Sequence, residues 1–157
     1  MANVYRYLKS GNPEAYRLDP TGTHQVSMGD LVIYDGSAFY ARTMAADSEG
    51  PYVIGIAEGV GPTPASVVDN APNLVDSVKV RSHGIFTMKK TTGDSLVHSD
   101  PLKMGADAQT VALATLPGDA ALVIGYVWNP MATGALTGAG TVDMVLKVNR
   151  PATGVII

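Results

Sequence analysis

Short runs of β-branched and aromatic residues, each bounded by Gly, Pro, Asp or Asn, recur along most of the chain and predict strands. They fall at Leu31-Val32-Ile33-Tyr34, Ala38-Phe39-Tyr40-Ala41, 52–57, 77–81, 84–88, 110–114, 122–128 and 142–148. In 77–81, Val78 and Val80 alternate with Lys79 and Arg81, the pattern of a strand with one wet face. The runs 52–57 and 122–128 are apolar on both faces, which predicts central strands or strands covered by another subunit. Asp35-Gly36 between two apolar runs predicts a hairpin with a type I′ turn. The one helical signal, Thr63-Pro64 ahead of Ala65-Ser66-Val67-Val68-Asp69, suffices for a turn or two. Strands at this spacing predict an all-β protein, a small barrel or a sandwich.

A repeat is visible in the turn strings. Gly29-Asp30, Val53-Ile54-Gly55-Ile56 and Val78-Lys79-Val80 are echoed by Gly93-Asp94, Val123-Ile124-Gly125-Tyr126 and Leu146-Lys147-Val148. The separations drift: 64 (29 to 93), 70 (53 to 123) and 68 (78 to 146). A duplication with loop insertions and a chance recurrence of common β strings both fit.

Two stretches fall outside the strand pattern. Residues 1–27, with Asn12-Pro13, Asp19-Pro20 and Tyr5, Tyr7 and Tyr16, read as an extended N-terminal arm. Residues 129–141 are small, uncharged and glycine-rich, the composition of a flexible loop. The expected organisation is therefore an arm (1–27) and a single barrel-like domain (28–157) containing that loop. The tail ends on Val155, Ile156 and Ile157, which stay ordered only if another surface, such as a second subunit, covers them.

Composition narrows the function. The 157 residues are 46% hydrophobic and only 16% charged, with 17 Gly and 10 Pro, a turn-rich chain with little charge to spread over helical faces. Hydrophobicity this high with a net charge of −3 excludes disorder. No apolar window is long enough for a membrane span, and the first twenty residues lack the pattern of a secretory signal. Without cysteine there is no disulfide framework, thiolate nucleophile or cysteine metal site. The net charge conceals a split. Residues 1–17 carry three basic residues (Arg6, Lys9, Arg17) against Glu14, whereas the remainder holds eight basic against thirteen acidic. An acidic body argues against binding nucleic acid through a general basic surface.

Catalytic and metal motifs are missing. His24, His83 and His98 have no spacing that presents two ligands together, and no calcium-loop pattern occurs. Gly59-Val60-Gly61-Pro62 lacks the lysine and hydroxyl of a phosphate loop, and no Gly-x-Ser-x-Gly elbow exists. These readings predict no enzyme and no cofactor. Binding or structure remains. Tyrosine and arginine are favoured at interface centres, so Tyr5, Arg6, Tyr7, Lys9, Tyr16 and Arg17 read as a docking segment, or equally as an edge strand on the protein's own barrel. A stacking platform of Trp128, Tyr126 and Tyr40 for a carbohydrate or receptor ligand is the alternative binding mode.

The stretches Met28-Gly29-Asp30-Leu31-Val32, Val53-Ile54-Gly55-Ile56-Ala57, Val78-Lys79-Val80-Arg81-Ser82-His83-Gly84-Ile85-Phe86, Gly93-Asp94 and Ile124-Gly125-Tyr126-Val127, in this order, resemble the capsid decoration or cement proteins of tailed bacteriophages. The resemblance spans roughly residues 25–148. It implies a β-barrel or β-tulip domain assembled as a homotrimer, made in the host cytoplasm and seated on the outer capsid surface of the virion. There it would clamp the major capsid protein, with residues 1–27 as the contacting arm.

Overall fold

The computed structural model describes residues 5–6, 14–19, 26–37, 39–60 and 77–147. The predicted helical turn at 63–69, Tyr7, Lys9, His24 and the Val155, Ile156, Ile157 tail lie outside them. The described chain is all β apart from two short 3-10 turns, Asp47–Tyr52 and Ala120–Leu122. Its strands are β1 (Tyr5–Arg6), β2 (Glu14–Arg17), β3 (Leu31–Asp35), β4 (Tyr40–Thr43), β5 (Val53–Val60), β6 (Ser77–Arg81), β7 (Ile85–Lys90), β8 (Pro101–Met104), β9 (Thr110–Leu113), β10 (Gly125–Val127) and β11 (Gly140–Leu146).

They form two sheets of the same design. The first runs β2-β6-β5-β3-β4, antiparallel throughout, and a parallel bridge from Leu18 to Ala41 brings its two ends together. The second runs β7-β11-β10-β8-β9, antiparallel throughout, and closes into a barrel where β7 pairs parallel with β9, Lys90 opposite Val111. β1 adds to the free stretch of β7, Tyr5 opposite Phe86. Position for position, β2 corresponds to β7, β3 to β8, β4 to β9, β5 to β10 and β6 to β11.

The correspondence extends to single hydrogen bonds at a constant separation of 70 residues (27 to 97). Gly29 N–H donates to Ala57 O at 2.8 Å and Ser99 N–H to Val127 O at 2.9 Å. Ala57 N–H donates to Asp30 O and Val127 N–H to Asp100 O, both at 2.9 Å. Met44 N–H bonds Leu31 O and Ala114 N–H bonds Pro101 O, again both at 2.9 Å. The chain is an internally duplicated barrel.

Of the three echoes in the sequence, only Val53-Ile54-Gly55 against Val123-Ile124-Gly125 is in register. Gly29-Asp30 corresponds to Ser99-Asp100, while Gly93-Asp94 is a separate turn whose Asp94 accepts Leu113 N–H at 2.7 Å. Val78-Lys79-Val80 corresponds to Val142-Asp143-Met144, because Ala57 pairs with Val80 as Val127 pairs with Met144.

Two apolar clusters result. Leu18, Val32, Ala41, Ile54, Ala57, Val78 and Val80 fill the first barrel. The second cluster fills the other barrel with Phe86, Met88, Leu102, Val111, Ile124, Val127, Val142 and Met144, then continues onto the outer face of the first through Leu31, Ile33, Met44, Val53 and Ile56. The two-faced apolar run at 52–57 thus has one face inside its own barrel and the other under the second barrel.

The β-barrel expected for the body is present in the β7-β11-β10-β8-β9 set, and the first set is an additional antiparallel sheet whose ends meet at the single Leu18–Ala41 bridge. Two expectations need correction. The 1–27 segment is not a free arm in its described parts. β2 pairs with β6, and Leu18 and Val26 are core residues. The hairpin at Asp35-Gly36 exists, but as a wider 36–39 loop with positive φ at Phe39 (60°) instead of a two-residue turn. Phe39 N–H reaching back to Asp35 O at 2.8 Å closes it. In addition, the 129–141 stretch is pinned: Leu136 and Leu96 exchange backbone hydrogen bonds at 2.7 and 3.0 Å, and Lys90 Nζ donates to Gly138 O at 2.7 Å.

Candidate interaction surface

Much of the described charge is committed to bracing strands and turns. Arg81 on β6 forms a two-point pair with Glu58 on β5 at 2.8 and 3.0 Å. Arg42 on β4 meets Glu49 at 2.6 Å and Asp35 at 3.6 Å. Its counterpart system joins Lys103 to Asp119 at 3.1 Å and, across the barrels, to Asp47 at 3.5 Å. Glu49 and Asp119 occupy equivalent places, and each accepts the N–H four residues back, from Ala45 at 2.7 Å and Thr115 at 2.9 Å. Burial pushes the Glu49 carboxyl up, but Arg42 and the Ala45 and Ala46 amides outweigh it and hold it below its ordinary value. Thr115 N–H and Lys103 hold Asp119 low in the same way. Arg42 and Lys103 are raised chiefly by hydrogen bonds to Glu49 and Asp119.

Asp30 is the polar node between barrels. Its carboxylate accepts Ser27 N–H at 2.9 Å, Thr43 Oγ1–H at 2.9 Å and, from the second barrel, Gln109 Nε2–H at 2.8 Å. The residue is buried. Three donors offset the cost of taking a carboxylate out of water.

The surface is unusually apolar at several points. Phe39 is 66% exposed and Met131 90%, with Leu116, Val97, Met28 and Tyr52 also open. Tyr126 and Trp128 leave the same side of β10, while Val127 between them faces the core. The indole lies edge-on to His98, ring centres 5.4 Å apart, and His98 Nδ1 accepts Asn129 N–H at 2.9 Å. Beside them Thr87, Trp128, Asn129, Leu136, Thr141 and Asp143 line an open cleft of about 210 Å³. In the first barrel the places of Trp128 and Asp143 are taken by Glu58 and Lys79. The fold itself therefore does not demand an aromatic there.

The described docking residues expected from sequence lie on two different sheets, Tyr5 and Arg6 on β1 and Tyr16 and Arg17 on β2. Tyr16 packs against the first core, its ring 5.9 Å from Tyr34 and its hydroxyl donating to Glu14 at 2.8 Å. It serves the barrel, as the edge-strand reading had it. Arg17, its neighbour on the opposite face of β2, is exposed. Tyr5 and Arg6 lie on β1 at the rim of the other sheet. Tyr40 opens β4, Tyr126 lies on β10 and Trp128 directly follows β10. Phe39 and Leu116 were not singled out from the sequence. The duplication is the signal that brings Phe39 forward, since its counterpart Gln109 is a contact residue.

No family model matches the chain, and no curated protein matches its sequence.

Proposed function

We propose that the chain is a structural virion protein, a decoration protein that binds the outer surface of a tailed-phage capsid as a homotrimer and stabilises the coat lattice. The observation that carries this reading is the combination of a braced tandem barrel with large exposed apolar side chains, Phe39 and Met131 foremost. Exposed apolar groups on a charge-poor body suit a surface covered by other protein. A component that binds the assembled lattice in preference to free subunits stabilises it by mass action, and a trimer multiplies modest contacts through effective concentration. The strand-and-turn resemblance to cement proteins points the same way.

The basic N-terminal stretch remains the candidate contact with the major capsid protein. Because β2 belongs to the barrel, deletion through residue 17 would damage the fold, so charge reversal is the cleaner test. Arg6→Glu, Lys9→Glu and Arg17→Glu together are expected to abolish co-sedimentation with expanded shells built from the coat protein of the same genome, leaving thermal stability unchanged. Undiminished binding by this variant would sink the arm contact.

The cleft beside Trp128 favours a second reading, a carbohydrate-binding module. An indole flanked by Asn129 and Asp143 offers a stacking face next to polar groups. Titration with mono- and oligosaccharides, read by Trp128 fluorescence, decides it. A saturable change supports a sugar site, and a flat response removes it.

A further inference from the structure

The contact between the two barrels joins unlike surfaces. The β8–β9 hairpin tip of the second barrel seats on the first: Leu31 N–H donates to Ala108 O at 2.8 Å, and Gln109 Nε2 reaches Asp30 Oδ1 at 2.8 Å and Met28 O at 3.4 Å. Beneath that tip Leu31, Ile33 and Ile56 are buried. A two-fold arrangement would place the equivalent β3–β4 tip against the second barrel in the same manner. It does not, because Phe39, the counterpart of Gln109, is two-thirds exposed. The counterparts of Leu31, Ile33 and Ile56 are Pro101, Lys103 and Tyr126, none of them buried. Each molecule therefore carries one used and one unused example of both halves of a single interface.

We propose that copies of this chain join head to tail by repeating that contact between molecules, with the Phe39 tip of one copy seated on the His98, Pro101 and Tyr126 face of the next. The chemistry at the unused halves fits this occupant. Pro101 has no N–H to offer, so the hydrogen bond made by Leu31 is lost. Phe39 in place of Gln109 supplies apolar area where the internal contact uses a polar bond. Phe39 is also a bulky residue held at φ 60° and left in water, two costs with no return inside its own barrel. Tyr126 and His98 give it an aromatic, half-polar surface to meet. Contacts between unlike surfaces build rings when the rotation closes and open chains when it does not. Three chains then form a ring of six barrels, in which internal and intermolecular contacts alternate. The copy number rests on the proposed function. The contact itself rests on the duplication alone.

The chain has no cysteine, so introduced thiols report cleanly. Phe39→Cys and His98→Cys, purified separately and then mixed under mild oxidation, are expected to give 39–98 linked dimers, with little linkage within either sample alone. Phe39→Asp, which tolerates positive φ, is expected to convert the assembled wild type to a folded monomer of 16.3 kDa by light scattering. The same change should shift Trp128 emission to the red, since its strand loses cover. A wild-type monomer at micromolar concentration, 39–39 or 98–98 linkage, or an assembly indifferent to Phe39→Asp would each overturn the proposal. An intact assembly that ignores capsid shells would instead overturn the decoration reading and leave this contact standing.

Discussion

Asp30 and Asp100 hold the same turn in the two barrels. Asp30 accepts the N–H of Ser27 at 2.9 Å and returns its own N–H to Ser27 O at 3.1 Å, and Asp100 does the same with Val97 at 2.8 and 3.1 Å. In each turn the preceding residue is left-handed, Gly29 at φ 92° and Ser99 at φ 74°. What the halves share is a backbone shape. The first half meets it with glycine and the second with a strained serine.

That difference gives the first prediction. A left-handed conformation costs a residue with a Cβ about 1–2 kcal/mol. Gly29→Ala is expected to destabilise by roughly that amount, whereas Ser99→Gly should be neutral or slightly stabilising, because relief of strain outweighs the added freedom of the unfolded chain. Urea unfolding of the pair checks this. A Gly29→Ala variant as stable as the wild type, or a Ser99→Gly variant clearly less stable than it, would mean that the two turns are not equivalent.

Gly125 leads to a second. A Cβ built there would lie 2.5 Å from Val145 O and 2.6 Å from Met144 Cγ and Sδ. Gly55, its counterpart, has Arg81 O and Val80 Cγ1 pressed equally close. Gly125→Ala and Gly55→Ala are therefore each expected to cost about 1–3 kcal/mol through overpacking. Thermal unfolding of both reads it, and tolerance of either would contradict the close approach of β10 to β11 or of β5 to β6.

The Val-Ile-Gly string was legible in the sequence because both copies kept the glycine that this packing requires. The other repeat units were not. Ser99 hides a glycine-like position, and Gly93-Asp94 offers the familiar string at a different turn. β8 was missed because Pro-Leu-Lys-Met shows little strand character. Pro101 is nonetheless tolerated as the first residue of a strand, where its missing N–H breaks no ladder bond. β2 was mistaken for arm because Glu14-Ala15-Tyr16-Arg17 offers few apolar residues, and its burial depends on Leu18 closing a barrel with the distant Ala41. Candidate contact residues were harder still. Phe39 looks like an ordinary strand residue until its counterpart Gln109 is seen at work.

The equivalent carboxylates Glu49 and Asp119 set an acid limit. Both titrate below their ordinary values in the folded chain, 4.5 for Glu and 3.8 for Asp. A depressed carboxylate contributes stability that is complete above the unfolded value and is lost as pH falls through the folded one. Stability should hold from neutrality to about pH 5 and fall below it. Glu49→Gln is expected to cost about 1–2 kcal/mol at pH 7, since the Arg42 contact loses its charge. The gap between variant and wild type should then narrow steadily on acidification. A gap independent of pH would mean that the pair with Arg42 contributes nothing through charge.

Lys90 provides the last prediction. It occupies the place of Leu18, the residue that closes the first barrel, and it is buried at that point of the second. Its ammonium caps Thr91 O at 3.0 Å and Gly138 O at 2.7 Å, so a core position has become a tether for the stretch after Trp128. Lys90→Leu copies the first barrel. The apolar side chain gains about 1.5–3 kcal/mol of burial, while charge-assisted hydrogen bonds of about 1.5–3 kcal/mol each are lost. Water can take up the exposed Gly138 carbonyl once the lysine is gone, which reduces that loss. The net change in barrel stability is therefore expected to stay within about 1 kcal/mol. The tether itself is removed. Limited proteolysis should then cut between residues 129 and 139 several times faster than in the wild type, while the strands remain protected. Unchanged cleavage would mean that the Leu96–Leu136 bridge holds this stretch without help from Lys90.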